Sequence, residues 1–306
     1  MNPRSLEGQI AVVTGATGGM GQVIAVELAC RGAQVVTVAR TPQRTDTLRR
    51  RIIRAVGVDR LEVIGGDLSR RADVLAAART IADRHPAVHL LVNNAGAHYP
   101  EHRLSPDGVE MHIALDYLAA YGLTTLLSGA LLRGRARVVN VASDTLNDTR
   151  QIKLLGRPRP ATLDLTGITD LRQLNPQAGF VPFQAYATAK LMTVAAGYDL
   201  AHRLAPHGVT VNSLHPGIVA TDIIDDLVPP VLRPFGALIR RTMLTPEDGA
   251  ATAIRLATDP ALADITGRYY NRDREATTPA VSHDAATQTN LRRLSDTFLA
   301  PPTAQP

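Results

Sequence analysis

Thr14-Gly15-Ala16-Thr17-Gly18-Gly19-Met20-Gly21 is the stretch whose reading decides the fold. Before it runs an apolar, β-type segment, residues 9–13. After it, residues 22–31 have the periodicity of a helix closed by Gly32. A strand that enters a glycine-rich turn and leaves as a helix brings backbone N–H groups and a helix N-terminus to one point. That point suits a pyrophosphate, because the N–H groups are unpaired and the helix dipole favours an anion. The spacing T-G-x-x-x-G-x-G gains weight from this strand–turn–helix setting; a bare glycine motif would be weak.

Outward from the loop the rhythm continues. Strands are predicted over 34–39, 61–65, 89–93, 136–141, 209–214 and 267–270. Helices are predicted over 45–56, 71–84, 107–132 and 183–204. Alternating strands and helices imply parallel pairing with right-handed crossovers. The expected fold is therefore α/β: a single-domain, Rossmann-like doubly wound parallel sheet of about seven strands flanked by helices. That domain would span residues 1–276, with two connections too long to be ordinary: an insertion at 144–179 and a lid at 222–245. Residues 277–306 are read as a C-terminal helix or tail whose proline-rich end is expected to be disordered.

Composition removes several functions. The 306 residues carry 33 Lys plus Arg against 28 Asp plus Glu, a net charge of +5, but only Lys153 and Lys190 are lysines. The densest basic cluster, Arg49, Arg50, Arg51 and Arg54, has helical spacing and reads as a solvated face, so no nucleic-acid partner is expected. Tryptophan is absent and aromatics are 4%, which leaves no stacking platform for single strands. The lone Cys30 excludes an internal disulfide and a Cys-rich zinc site; it is expected as a small core residue. Nothing demands an oxidising compartment, and the expected location is cytoplasmic. The longest apolar candidate, 223–239, is broken by Asp225, Asp226, Arg233 and three prolines, so no membrane span is expected. His98, His102 and His112 lie close in sequence, but no Cys or carboxylate completes a ligand spacing; no metal is expected.

The end of the second strand bears on the nucleotide. An acid there would hold two ribose hydroxyls. Here Ala39 is followed by Arg40, whose guanidinium can pair with a 2′-phosphate. NADP(H) is expected over NAD(H).

These residues resemble the short-chain dehydrogenase/reductase family. Besides the glycine loop there are Asp67-Leu68 after the third strand and Asn93-Asn94-Ala95-Gly96 after the fourth. Tyr186-Ala187-Thr188-Ala189-Lys190 is similar to the family's Y-x-x-x-K pair. Asn212 and Pro216-Gly217-Ile218-Val219-Ala220-Thr221 resemble its N-x-x-x-P-G-x-V-x-T segment. Asp107-Gly108-Val109-Glu110-Met111-His112, Thr245-Pro246-Glu247-Asp248-Gly249-Ala250 and Thr266-Gly267-Arg268-Tyr269-Tyr270 resemble the retinol-dehydrogenase-like branch. The resemblance implies that Asp67 and Leu68 meet the adenine, and that Asn93, Ala95 and Gly96 line the cofactor. It implies that Pro216, Gly217, Val219 and Thr221 fix the nicotinamide carboxamide, and that subunits pair as a homodimer or homotetramer through the helices over 107–132 and 183–204.

The implied chemistry is physically coherent. Carbonyl reduction needs a proton donor at oxygen while hydride reaches carbon. A tyrosine titrates near ~10, and a lysine one helical turn away stabilises its phenolate. Tyr186 would be the general acid/base, with Lys190 holding the nicotinamide ribose and lowering the tyrosine pKa. Lys190 stays lysine in a chain that uses arginine almost everywhere else. Ser143, closing the fifth strand, is implied to orient the carbonyl. Asp116 stands where the family has an asparagine that supports a proton relay; an ionised Asp116 would raise the Lys190 pKa and alter Tyr186. The apolar 222–245 segment suggests a hydrophobic small-molecule substrate. The expected function is an NAD(P)(H)-dependent ketoreductase or alcohol dehydrogenase. The alternatives are an activated C=C reductase or a catalytically weakened NADP-binding sensor.

Overall fold

Short β-branched runs build the sheet, and the helices between them carry it back to the same edge. The computed structural model describes residues 5–150, 157–219 and 243–300. The strands are β1 (Ile10–Val13), β2 (Gln34–Ala39), β3 (Leu61–Gly65), β4 (Leu90–Asn93), β5 (Arg137–Val141), β6 (Thr210–His215), β7 (Tyr269–Asn271) and β8 (Arg274–Glu275). The order is β3-β2-β1-β4-β5-β6-β7-β8, parallel from β3 through β7. Chain order reverses between β1 and β4, which opens a crevice at the carboxyl ends of those strands. The expected doubly wound, Rossmann-like sheet is present, with eight strands. The eighth is a two-residue antiparallel return from β7 through Arg272 at φ 56°; a charged pair that short leaves no pattern in the sequence.

Two apolar layers flank the sheet. α1 (Gly19–Cys30), α2 (Asp46–Val56) and α7 (Pro246–Thr258) cover one face, with Ile24, Leu28, Leu48, Ile52 and Leu256 buried beneath them. α3 (Arg71–Arg84), α4 (Ala119–Leu126), α5 (Ser128–Gly134) and α6 (Pro182–Leu204) lie on the other. Cys30 is exposed at the end of α1, contrary to the expected core position. No single helix among the described residues is long and apolar enough to cross a membrane.

The helix expected over 107–132 is broken into parts. Gly108 turns at φ 77°, Ile113–Leu118 winds as π-helix, and Leu127 separates α4 from α5. A π turn widens the backbone and re-aims side chains, and such turns gather at functional sites. Asp116 sits in this one.

The C-terminal segment holds α8 (Ala285–Leu299), which buries Leu291, Leu294 and Leu299. Tyr117 Oη pairs with Ser295 Oγ at 2.6 Å, Tyr121 Oη donates to Asp296 Oδ1 at 2.7 Å, and Arg292 reaches Asp199 of α6 at 2.9 Å. α8 thus lies across the two helical regions through which the resemblance implies subunit pairing. Any such pairing has to use surface that α8 leaves uncovered. The end expected to be disordered, 301–306, lies outside the described residues, as does most of the expected lid.

Candidate active site

At the end of β1 the glycine loop is laced to the end of β4. Thr14 Oγ1 accepts from the N–H groups of Asn94 and Ala95 at 3.0 and 2.9 Å, and Asn94 Nδ2 donates to the Thr14 carbonyl at 3.0 Å. Gly15 has φ 66°, and a Cβ there would come within 2.9 Å of Ala95 Cα. A Cβ on Gly21 would collide with the Gly15 carbonyl. Gly18 is the N-cap position of α1, and the helix starts at Gly19 and Met20 with no side-chain cap and no acid in its first turn, which leaves its N-terminal N–H groups for an anion.

Beside the loop lies a cavity of about 240 Å³, lined by Gly15, Thr17, Arg40, Asp67, Leu68, Ala95 and Gly96 among the expected residues. Arg44 and Tyr99 line it too, and the sequence reading missed both. Arg44 follows Arg40 by four residues, on a 3₁₀ turn capped by Pro42, a signal that could have been used. Asp67 is occupied locally, accepting from Ser69 N and Oγ at 3.0 and 2.8 Å. Asn93 is absent from the cavity wall. Its amide donates to Thr124 Oγ1 and Asn140 Oδ1 at 3.1 and 2.9 Å, tying β4 to β5 and α4. Its neighbour Asn94 does the work at the loop.

Across the crevice, Tyr186 and Lys190 lie one turn apart on α6, both buried. Lys190 Nζ donates to the Val141 carbonyl at 3.1 Å and pairs with Asp116 Oδ1 at 3.1 Å. It lies 5.5 Å from the centre of the Tyr186 ring. Asp116 Oδ1 also accepts from Ala97 N at 3.0 Å, while Oδ2 has no partner among the described residues. The Asp116 carbonyl accepts from Thr193 Oγ1 at 2.9 Å, one turn beyond Lys190. A Cβ on Gly96 would collide with Asp116 Oδ1 and stand 3.0 Å from Lys190 Nζ, so this glycine makes room for the ion pair. Ser143, two residues beyond β5, lies near enough to the Tyr186 phenol to lower its pKa, and it caps the next turn by accepting from Thr145 N at 3.3 Å.

The electrostatics differ from the simple expectation. Burial pushes the Tyr186 phenol above its ordinary value; Lys190 and Ser143 oppose this, and Asp116 reinforces it. Lys190 therefore pulls in the expected direction but is outweighed. Burial works against the Lys190 ammonium, yet Asp116 and Tyr186 together hold its pKa above the usual lysine value. Burial raises the Asp116 carboxyl, with Lys190 opposing.

The D-G-V-E-M-H stretch builds the adjoining wall. Asp107 Oδ2 accepts from Arg71 N at 2.7 Å at the start of α3. His112 Nε2 accepts from Tyr99 N at 2.9 Å, which puts the ring proton on Nδ1, 2.8 Å from Glu110 Oε1. Asn175 of the 144–179 stretch donates to Glu110 Oε2 at 2.9 Å, and the Phe180 ring stacks 6.3 Å from that of His112. His98, His112 and Tyr186 form a cluster of rings, with His98 5.5 Å from His112 and 5.8 Å from Tyr186, and His112 5.9 Å from Tyr186. His102 is elsewhere, bonded to the Asn175 carbonyl at 3.1 Å. Among the described residues, no group of three or more His, Cys, Asp or Glu could hold a metal ion.

Other expected residues have structural duties. Asn212 donates to the Ile265 carbonyl at 2.6 Å and accepts from Arg268 N at 3.0 Å. Pro216 and Gly217 follow β6, and Val219 bridges to Leu244. Thr245 caps α7 by accepting from Asp248 N at 3.1 Å. Gly249 then lets α7 press on Val219 and Met20. Thr221 lies outside the described residues.

A family model described as short chain dehydrogenase matches residues 9–151, and one described as Enoyl-(Acyl carrier protein) reductase matches 170–274. Retinol dehydrogenase 14 of Homo sapiens is 30% identical over 90% of this chain and 81% of its own length. The chain belongs to the short-chain dehydrogenase/reductase family. Within the family it falls in the retinol-dehydrogenase-like branch. A solved structure from Beutenbergia cavernae, assigned as an NAD(P) dependent gluconate 5-dehydrogenase and holding NADP at low occupancy, is similar at TM-score 0.64 and 28% identity. That similarity covers 89% of this chain and 97% of the other. The 3-ketoacyl-(acyl-carrier-protein) reductase of Brucella melitensis, complexed with NADH, is similar at TM-score 0.63 and 25% identity, covering 87% and 97%. This short-chain dehydrogenase/reductase is an oxidoreductase of a family that binds NAD(P).

Proposed function

We propose that the protein interconverts a carbonyl and an alcohol on a hydrophobic small molecule, with NADP(H) preferred to NAD(H). One observation carries the reading: Tyr186 and Lys190 are buried one turn apart on α6, with Lys190 Nζ 5.5 Å from the centre of the phenol ring and Ser143 close enough to influence the phenol. Two neighbouring hydroxyl donors suit a carbonyl oxygen. The second family model's description is the one observation on the side of C=C reduction.

The glycine cradle and the uncapped start of α1 fit a dinucleotide pyrophosphate. Arg40 and Arg44 would hold a 2′-phosphate, Asp67 and Leu68 the adenine, Ala95 and Gly96 the ribose side, and Pro216, Gly217, Val219 and Thr221 the carboxamide. When bound, the cofactor supplies or accepts the hydride. Ser143 donates to the substrate oxygen and fixes it. Tyr186 gives that oxygen its phenolic proton during reduction and recovers one from the alcohol during oxidation. Lys190 steadies the phenolate that is left, and Asp116 holds Lys190 charged and in place. With its pKa above the usual value the phenol is held protonated at neutral pH, the form that reduction uses. The retinol relative supports an apolar substrate.

The test is nicotinamide absorbance with a panel of long-chain and cyclic aldehydes and ketones, using NADPH and NADH in parallel. Turnover with NADPH that disappears in Tyr186→Phe is the expected result. NADPH binding without turnover across the panel would instead reveal a sensor. A greater thermal shift with NADH than with NADPH would sink the role given to Arg40 and Arg44.

A further inference from the structure

We propose that His98 is a substrate-binding residue that recognises a second oxygen, on the carbon α or β to the one that reacts. The inference rests on the carbonyl–alcohol reading and narrows its substrate class. His98 is 5% exposed, yet neither ring nitrogen has a hydrogen-bond partner among the described residues. Buried polar side chains are nearly always hydrogen-bonded, and an exception calls for a reason. Packing alone does not supply one, since the neighbouring histidine shows what a structural role looks like. His112 is fully buried and spends both nitrogens, one on Tyr99 N and one on Glu110.

The position of His98 points to the reacting end of the site. It follows Gly96 and Ala97, and Ala97 N is bonded to Asp116 Oδ1, so the backbone before it is anchored to the Asp116–Lys190 pair. Its ring stands edge-on to that of Tyr186 at 5.8 Å. Burial, then the charge His112 could carry, lowers its pKa to about 4, so the ring is neutral at physiological pH. A neutral imidazole offers one N–H donor and one acceptor nitrogen. A hydroxyl or keto oxygen beside the reacting carbonyl would take that N–H. The preferred substrates are therefore α- or β-oxygenated carbonyl compounds with an otherwise apolar body.

The experiment measures kcat/KM with NADPH for a vicinal diketone and for the monoketone of the same chain length, in wild type, His98→Phe and His98→Gln. Diketones are intrinsically more reactive, so the diketone-to-monoketone ratio is compared between proteins. His98→Phe should lower that ratio by about tenfold or more, mainly through KM on the diketone, because a site built to bond an oxygen discriminates against its absence. His98→Gln keeps a donor and should recover part of the ratio. It also carries the test if the phenylalanine variant does not fold. A ratio that changes by less than about threefold in the folded variants overturns the assignment. So does a weakened NADPH Kd with an unchanged ratio, which would place His98 on the cofactor. Tyr186-dependent turnover with an unmoved ratio defeats this inference alone. No turnover of either ketone by wild type defeats the carbonyl–alcohol reading and this inference with it.

Discussion

The two ends of the crevice are built by different means. At the nucleotide end the work is done by backbone and by space: Gly15, Gly21, an uncapped helix start, and arginines at the rim. At the reaction end it is done by buried charges and hydroxyls brought together from β5, α6 and the π turn. The first kind of site needs little more than the path of the backbone at the strand ends. The second needs a folded interior, because only burial makes a 3.1 Å ion pair or a phenol's pKa depend on its neighbours. Damage should therefore read out differently at the two ends: as lost cofactor affinity at one, and as altered proton chemistry or stability at the other.

The largest effect belongs to the reaction end. Tyr186→Phe should cut kcat by about 10²–10⁴-fold, since a positioned proton donor is lost. NADPH affinity, read by fluorescence titration, should change far less. A variant that keeps a tenth of wild-type turnover would break the contrast.

Next comes Asp116→Ala, which strands the buried Lys190 ammonium. Breaking a buried pair by removing one partner costs about 3–5 kcal/mol. Denaturant unfolding should show a loss of that size, and a loss under about 1 kcal/mol would mean the pair contributes little.

The nucleotide end is probed by the double variant Arg40→Ala, Arg44→Ala. A charge-assisted hydrogen bond contributes about 1.5–3 kcal/mol, so NADPH affinity should fall by roughly ten- to a hundredfold while NADH affinity moves much less. Equal losses for both nucleotides would show that the arginines do not read the 2′-phosphate.

The smallest and most diagnostic effect is that of Asp116→Asn. Activity should stay within about tenfold, but the pH profile should move. Alcohol oxidation requires the Tyr186 phenolate, and the Asp116 charge raises the phenol's pKa. Removing that charge lowers the pKa, so the rising limb of kcat/KM for oxidation should shift to lower pH. The Lys190 pKa should fall as well, since Asp116 is the leading influence raising it. Superimposable profiles for the two proteins would leave Asp116 with a packing role only.

The same contrast explains what could be read before the structure. The expected strands over 34–39 and 61–65 and the helix over 71–84 match β2, β3 and α3 residue for residue. Their periodicity is local and their ends carry turn residues. Apolar periodicity predicts one helix over 107–132 and does not reveal the π turn or the bend at Leu127. Asn93 and Asn94 look equivalent in sequence; only the pleat of β4 decides that Asn93 turns inward to Asn140 while Asn94 meets the glycine loop.

The α/β alternation, the dinucleotide loop, the i, i+4 pairing of Tyr186 with Lys190 and the family are all legible in the chain. All of these follow from backbone geometry over a few residues. The folded interior settled the rest: that Asp116 meets Lys190 and that α8 lies against α4 and α6. It also set His98 beside Tyr186 with neither ring nitrogen bonded among the described residues. Those facts are contacts between distant segments, and their chemical consequences arise from desolvation, which no local pattern encodes.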